Sequence, residues 1–378
     1  TTDELQSFFT RVKLTINEKF LVTATMRADG SSRFGSSNQY GFFPSASAAW
    51  KLDQEDFVGD TFSTLKLRVG FGIVGNQDGL GHANFALRQR FAGPGFNDDG
   101  SINTPGLTFV GNDNPDLKWE STTDYNIGID FGVNEDRFSG NFDLYRKETN
   151  DLLFFSGAAA PAVPPFFVFQ NLTDGTIVNQ GVELGLNYDF INKEETSFSA
   201  SFNISYNQNE IQGTNRIADI GPIRGAGLTN AFAQRIAAGQ SLFSWYMAEF
   251  TGLDGSGLPT YADVNGDGVG DPASDKKFLG KDALPDFNAG LSLSYRHKNW
   301  DVSANLASQF GGFYVYNATA NAFFTSGSIS TSRNVIQAVV DSGEAPGTSA
   351  EVSSRYLEKG DFVRLQSLSV GYNLPLTG

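Results

Sequence analysis

The chain has 378 residues, with 27 Lys and Arg against 42 Asp and Glu, for a net charge of −15. That balance excludes the basic surface that nucleic acid requires. There is no cysteine and there are two histidines, His82 and His297, which rules out disulfide frameworks and thiolate metal sites and leaves little for histidine catalysis.

Taken in chain order, the predicted elements alternate apolar and polar residues with a period of two, the signature of strands with two unlike faces. Phe9–Asn17 sets Val12, Leu14 and Ile16 against Arg11, Lys13 and Thr15. The turn Asn17-Glu18-Lys19 leads to Phe20–Asp29, and a Gly- and Ser-rich loop leads to Phe42–Leu52. Thr64–Val74 follows, then a polar stretch from Gly75 to Glu120 that is too long for a structureless loop in a soluble core. Residues 121–148 form a long hairpin around Asn134-Glu135-Asp136. Tyr125, Ile127, Ile129 and Phe131 fall on one side; Asp124, Asn126, Gly128 and Asp130 fall on the other.

A Pro-rich loop at 158–169 separates this hairpin from a second, Val178–Phe190 with Thr196–Asn209. Asn230–Gly239 has helical character. Leu242–Gly252, the turn Asp254-Gly255-Ser256-Gly257 and a short strand at Leu258–Ala262 come next. Phe287–His297 and Trp300–Phe310 turn sharply at Lys298-Asn299, and Phe362–Tyr372 is the last strand. About 12 or 13 strand-like runs result.

Soluble sandwich strands are about half as long as these, whereas a bilayer requires roughly 9–11 tilted residues per strand. The turns near 18, 135, 193, 255 and 298 are tight, while 30–41, 75–120, 149–176, 209–241, 263–285 and 312–361 are long. Short turns at one end and long loops at the other mark an outer-membrane barrel. The 34 Phe and 42 Gly residues suit its aromatic girdles and crowded strands. The expected class is therefore all-β, a transmembrane antiparallel barrel, in contact with outer-membrane lipid.

The motifs are weighed individually. Gly70, Gly72 and Gly75 match G-x-G-x-x-G after a strand, but turn residues follow where a dinucleotide site needs a helix. Asp263, Asn265, Asp267 and Val269 match the start of a calcium loop, with Asp271 and Asp275 as further candidate ligands. The usual Glu at its twelfth position is missing, and an ion-free Asx- and Gly-rich turn is the competing reading. Asn171, Asn203 and Asn317 match the glycosylation pattern and carry no weight, and Glu194-Glu195 is a solvated turn. Phe166, Phe167, Phe169, Phe323 and Phe324 stand in loops, as packing or interface anchors or as a binding surface. No nucleophile, base and acid set appears, so no enzyme is expected and no cofactor beyond a structural calcium.

Several segments together carry a resemblance. They are A-D-G-S-S-R-F-G (28–35), Y-G-F-F-P-S-A-S-A-A-W (40–50), L-K-L-R-V-G-F-G-I-V-G-N-Q (65–77), N-P-D-L-K-W-E-S-T-T (114–123), N-Q-G-V-E-L (179–184), D-V-N-G-D-G (263–268) and the closing run at 356–375. In order and spacing, the chain resembles the C-terminal barrel region of SusC/RagA-type TonB-linked outer-membrane transporters of Bacteroidetes. The resemblance implies a large plugged barrel of the 22-stranded class. It also implies import of glycans or peptides, a SusD-like surface lipoprotein as lid and the TonB complex as energy source. On this reading residues 1–378 are a partial barrel region, with plug, signal peptide and final strands outside the chain. The rival readings are a structural or secretion-associated scaffold barrel and a small passive porin.

Overall fold

The computed structural model describes residues 2–81, 88–91, 107–157, 167–225, 228–318, 320, 337–345, 348 and 351–374. Eleven long strands carry the fold: β1 (Leu5–Ile16), β2 (Phe20–Ser31), β3 (Tyr40–Lys51), β4 (Thr64–Asn76), β5 (Glu120–Val133) and β6 (Phe138–Asn150), then β7 (Thr176–Lys193), β8 (Thr196–Gln212), β9 (Phe287–His297), β10 (Trp300–Phe310) and β11 (Phe362–Tyr372). They form one sheet in which spatial order follows chain order throughout. Neighbours run antiparallel, with Arg68 opposite Gly128, Asn203 opposite Gly290 and Leu291 opposite Leu306. All eleven reach the length of roughly 9–11 residues that a bilayer demands.

The connections sort by end. One end holds residues 17–19, 52–63, 134–137, 194–195 and 298–299. Asn17, Glu18, Asn134, Glu135, Asp136 and Lys298 take positive φ there, which closes the turns tightly. Asn and Asp tolerate that conformation best. The other end holds the long connections 32–39, 77–119, 151–175, 213–286 and 311–361.

The sheet is inverted relative to a soluble protein. Its apolar face is the exposed one: Ile127 is 45% exposed, Leu368 63% and Val363 73%. Phe8, Val12, Leu14, Met26, Phe42, Val69, Tyr125, Phe142, Leu144 and Phe202 are exposed in the same way. Monomers in water do not carry so large a continuous apolar surface, whereas hydrocarbon solvates it at no cost. Aromatic rings collect where this face meets its ends. Towards the short turns Phe190 stacks on Phe198 at 4.9 Å, and Trp300 lies 4.7 Å from Tyr372. Towards the long connections Phe287 lies 5.0 Å from Tyr206 and 5.1 Å from Phe310. These are the two girdles of a membrane barrel.

The buried cores lie in the long connections. By contact the chain divides into two units, 1–136 with 142–180, and 137–141 with 181–378. In the first, Phe34, Leu80 and Leu117 are buried together, with Trp119, Leu153 and Phe169 against them. In the second, Ala233, Trp245, Met247 and Val352 form a core flanked by Ile223, Leu279, Tyr316 and Leu357. Short strands frame that second core: Ala218–Gly225, Leu228–Ile236, Ser244–Ala248 and Lys276–Asp282 make one sheet.

Two sequence expectations are corrected here. Asn230–Gly239 is not helical, because Leu228–Ile236 is a strand with Ala231 opposite Ile223 and Arg235 opposite Asp219. The Ala-rich run favours helix locally, but pairing and the burial of Ala233 override that preference. The turn at 254–257 is not a short-end turn, since it joins Phe250–Leu253 to Pro259–Tyr261 inside a long connection. The remaining short-end connection is 52–63, which the two 3-10 turns Leu52–Gln54 and Gly59–Thr61 keep compact.

The face assignment has a direct consequence. Ile127→Arg is expected to destabilise the protein in a bilayer by about 2–4 kcal/mol, whereas Asn126→Lys on the opposite face costs less than ~1 kcal/mol. Reversible urea unfolding in lipid vesicles measures both.

Candidate functional site

The polar face is where chemistry collects. In the first unit it carries charge. Arg68 of β4 reaches two strands: its Nε donates to Asp130 Oδ1 at 2.9 Å, and a terminal nitrogen donates to Asp143 Oδ2 at 2.9 Å. Lys66 Nζ lies 2.6 Å from the other Asp130 oxygen, and Asn126 Nδ2 donates to Asp143 Oδ1 at 3.3 Å. Asp143 is 7% exposed, so its charge depends on these partners. Residue 128 is glycine, which leaves room for this arrangement. A Cβ there would force the Asp143 carboxylate and the Arg68 guanidinium to shift from the positions they hold.

Beside this network the face is floored by small side chains. Thr23, Ser45, Ser47, Gly70 and Gly72 leave a concavity of about 260 Å³, bordered by Asp124 and Asn126. The G-x-G-x-x-G match is thus part of a strand wall rather than a phosphate loop, since β4 runs through Asn76 and a turn follows. Lys147 stands 3.9 Å from Asp124.

In the second unit the polar face is mostly neutral. Gln309 donates to Asn288 at 3.0 Å, and Asn305 donates to Ser367 at 2.9 Å. Asn203 stands opposite Gly290, while Asn187 is exposed. Of the residues read as polar-face from the sequence, Asn126 and Asp130 are brought together with Arg68 and Asp143, while Asp124 stands apart at the rim of the concavity, beside Lys147. Asn187 and Asn203 belong to the neutral stretch. The participation of Arg68 and Asp143 was not legible beforehand, because register across strands decides it.

The loop at 263–275 closes on itself. Asp263 accepts the Gly266 and Gly268 amides, Asn265 accepts that of Asp267, and Asp267 accepts that of Val269. Asp271 accepts the Ala273 amide. Asp275, fully buried, accepts the Val264 and Asn265 amides with one oxygen and that of Asp271 with the other. These amide bonds hold its carboxyl below the usual carboxylate range. The six candidate calcium positions thus build a set of Asx turns around one buried carboxylate. Among the described residues no three acidic or histidine side chains stand in metal-holding geometry.

Other loop residues are structural. Asn171 clasps Lys118 from both amide atoms and also donates to the Asp151 carbonyl. Asn317 donates to Glu358. Phe169 lies 4.9 Å from Phe155 and packs on the first loop core. Phe166, Phe323 and Phe324 lie outside the described residues, as does the Phe167 side chain. In the second unit Tyr261 is half-buried, and the loss of water around it pushes its hydroxyl up to about 12.

With this geometry established, the chain was compared with known proteins. Residues 1–377 match the family model described as TonB dependent receptor-like, beta-barrel. The chain is 31% identical to TonB-dependent receptor P3 of Formosa agariphila, over 98% of this chain and 39% of that protein. It is 30% identical to TonB-dependent receptor SusC of Bacteroides thetaiotaomicron, over 99% of this chain and 38% of that protein. Among solved structures, the RagAB peptide transporter superposes with a TM-score of 0.83 at 25% identity, over 98% of this chain and 41% of the matched one. The chain thus spans about two fifths of the length of each.

The charge network yields a test. Arg68→Ala is expected to lower stability by about 1–3 kcal/mol, since it removes the cation paired with the buried Asp143 carboxylate. The double variant Arg68→Met/Asp143→Leu is expected to regain more than half of that loss. Urea unfolding of the single and double variants in vesicles measures the coupling.

Proposed function

The chain belongs to the TonB dependent receptor-like β-barrel family, and from that membership we propose that the protein carrying it imports an oligomeric nutrient, a glycan or a peptide, across the outer membrane. Its strands lie in that membrane, with the apolar face in lipid and the polar face inward. The observation that carries the proposal is the polar face itself. A passive wall needs only compatibility with water. This one places Arg68, Lys66, Asp130, Asp143 and Asn126 beside a concavity floored by small residues. Such a surface can bind polar groups of a passing substrate or of an internal moving segment.

In this proposal TonB supplies the energy, and a SusD-like surface lipoprotein covers the long-connection end. Two features support a docking role for that end. Described parts of the connections there fold around cores of their own. They are also long enough to build recognition surfaces, as ligand-contacting loops on rigid scaffolds commonly are. The kinship with SusC and the fold shared with the RagAB peptide transporter point the same way. Glycan and peptide remain two arms of one test. No enzymatic step is proposed.

The test is uptake by cells with the gene deleted and restored, given labelled oligosaccharides or oligopeptides of graded length. Restoration is expected to return uptake of one substrate class, uptake that stops when the proton gradient is collapsed, and a surface lipoprotein is expected to copurify with the restored protein. Unchanged uptake of both classes, with secretion or surface-assembly proteins copurifying instead, overturns import in favour of a scaffold.

A further inference from the structure

The exposed apolar face is not uniform. Along β3 its outward positions are small from Pro44 through Ala46 to Ala48, and then abruptly large at Trp50. The strands on either side are taller there. Val22 stands opposite Ala48 from β2, and Val69 stands opposite it from β4. Phe20 stands opposite Trp50, and their rings stack at 5.7 Å. The result is an apolar groove of about 110 Å³ bordered by Phe20, Val22, Ala48, Trp50, Leu67 and Val69. Ala48 is exposed on its floor, and Ala46, also exposed, is the next outward residue along β3. The groove lies in the first unit, at the short-turn end of the sheet.

The groove ends in a charged clasp. Trp50 Nε1 donates to Glu55 Oε1 at 3.0 Å, and Lys19 Nζ donates to Glu55 Oε2 at 2.9 Å. Glu18 lies next to Lys19 in the turn. Phe57, 74% exposed, lies 6.4 Å from Trp50, ring to ring. An aromatic pair topped by a cation and a carboxylate is the composition expected where acyl chains give way to headgroups.

We propose that this groove and clasp form a discrete phospholipid site, holding one acyl chain along β3 and a zwitterionic amine–phosphate headgroup at Lys19 and Glu55. In hydrocarbon the hydrophobic effect cannot select a lipid. What selects is packing: an unfilled groove loses its contacts on one side, and a chain that lies in it restores them. The ammonium of Lys19 has donors to spare beyond its bond to Glu55, so it can meet the phosphate. Glu55 and Glu18 are the acceptors for the headgroup amine. The apolar belt continues into the groove from both sides, so its occupant comes from the bilayer and not from solution. With short turns facing the periplasm, that lipid belongs to the periplasmic leaflet.

The test uses the complete protein in bilayers containing phosphatidylethanolamine with a diazirine on one acyl chain, irradiated and mapped by peptide mass spectrometry. Adducts on the peptides carrying residues 20–24 and 46–50 are expected to exceed the average for the other outward-facing strands by at least fivefold. Ala48→Phe, which fills the groove, is expected to remove that excess and leave adducts elsewhere unchanged. Heat-modifiable migration confirms that the variant is folded, and Ala48→Leu serves if it is not. An even spread of adducts, or an excess that survives the filled groove, shows ordinary annular lipid and overturns the site. Equal capture of a phosphatidylglycerol probe overturns the headgroup assignment.

Discussion

Everything in this chain depends on one constraint. In hydrocarbon a backbone amide or carbonyl has no water to turn to, so each must be paired within the wall. A sheet in which every strand bonds to its neighbours in chain order meets that demand with the least topological complexity. Antiparallel meandering in turn forces the connections to alternate between two ends. The same solvent inverts the usual side-chain rule. Ile127 and Leu368 stay exposed on the apolar face, while Asp143 is covered on the other. The sheet face therefore provides no packed core, and the cores appear where water returns, around Phe34 and Leu117 in one unit and around Trp245 and Met247 in the other.

The two faces also divide the work. Contacts with lipid need only shape and aromatic edges, which the girdles supply. The polar face can hold charge because its charges are paired across strands: Arg68 binds carboxylates from β5 and from β6 at once. Such a network locks strand register as well as neutralising charge, since a slip of one residue would send Arg68 into lipid. Gly128 opposite Arg68 leaves the space in which the two side chains meet. The loops carry their own rigidity. A buried Asp275 gathers three backbone amides and holds the 263–275 turn without help from the sheet.

Much of this was legible in the sequence. Phe287–His297, Trp300–Phe310 and Phe362–Tyr372 were read with the boundaries they have, because a strict period of two between sharp turns leaves little freedom. Asp124, Asn126 and Asp130 were read on the polar face for the same reason. Leu228–Ile236 was misread because its alanines favour helix until a partner strand is present. The reach of Arg68 to Asp143, and the groove over Ala48, were invisible. Both depend on which residues stand opposite one another on neighbouring strands, and alternation within one strand carries no information about register. Asp254 to Gly257 was read correctly as a turn but placed at the wrong end, since a tight turn looks the same inside a long connection.

The central claim is that the odd-numbered residues of β5 face lipid and the even-numbered ones face water. The chain contains no cysteine, so once any cysteine elsewhere in the complete protein is replaced by serine, a nitroxide can be placed singly at each position from 124 to 131 in bilayers. Its collision rates with oxygen, which favours lipid, and with a water-soluble nickel chelate then report the surroundings. The expected result is an alternation of period two, with oxygen dominant at 125, 127, 129 and 131 and nickel dominant at 124, 126, 128 and 130. Oxygen and nickel accessibilities that rise and fall together, or an alternation of opposite phase, would contradict it.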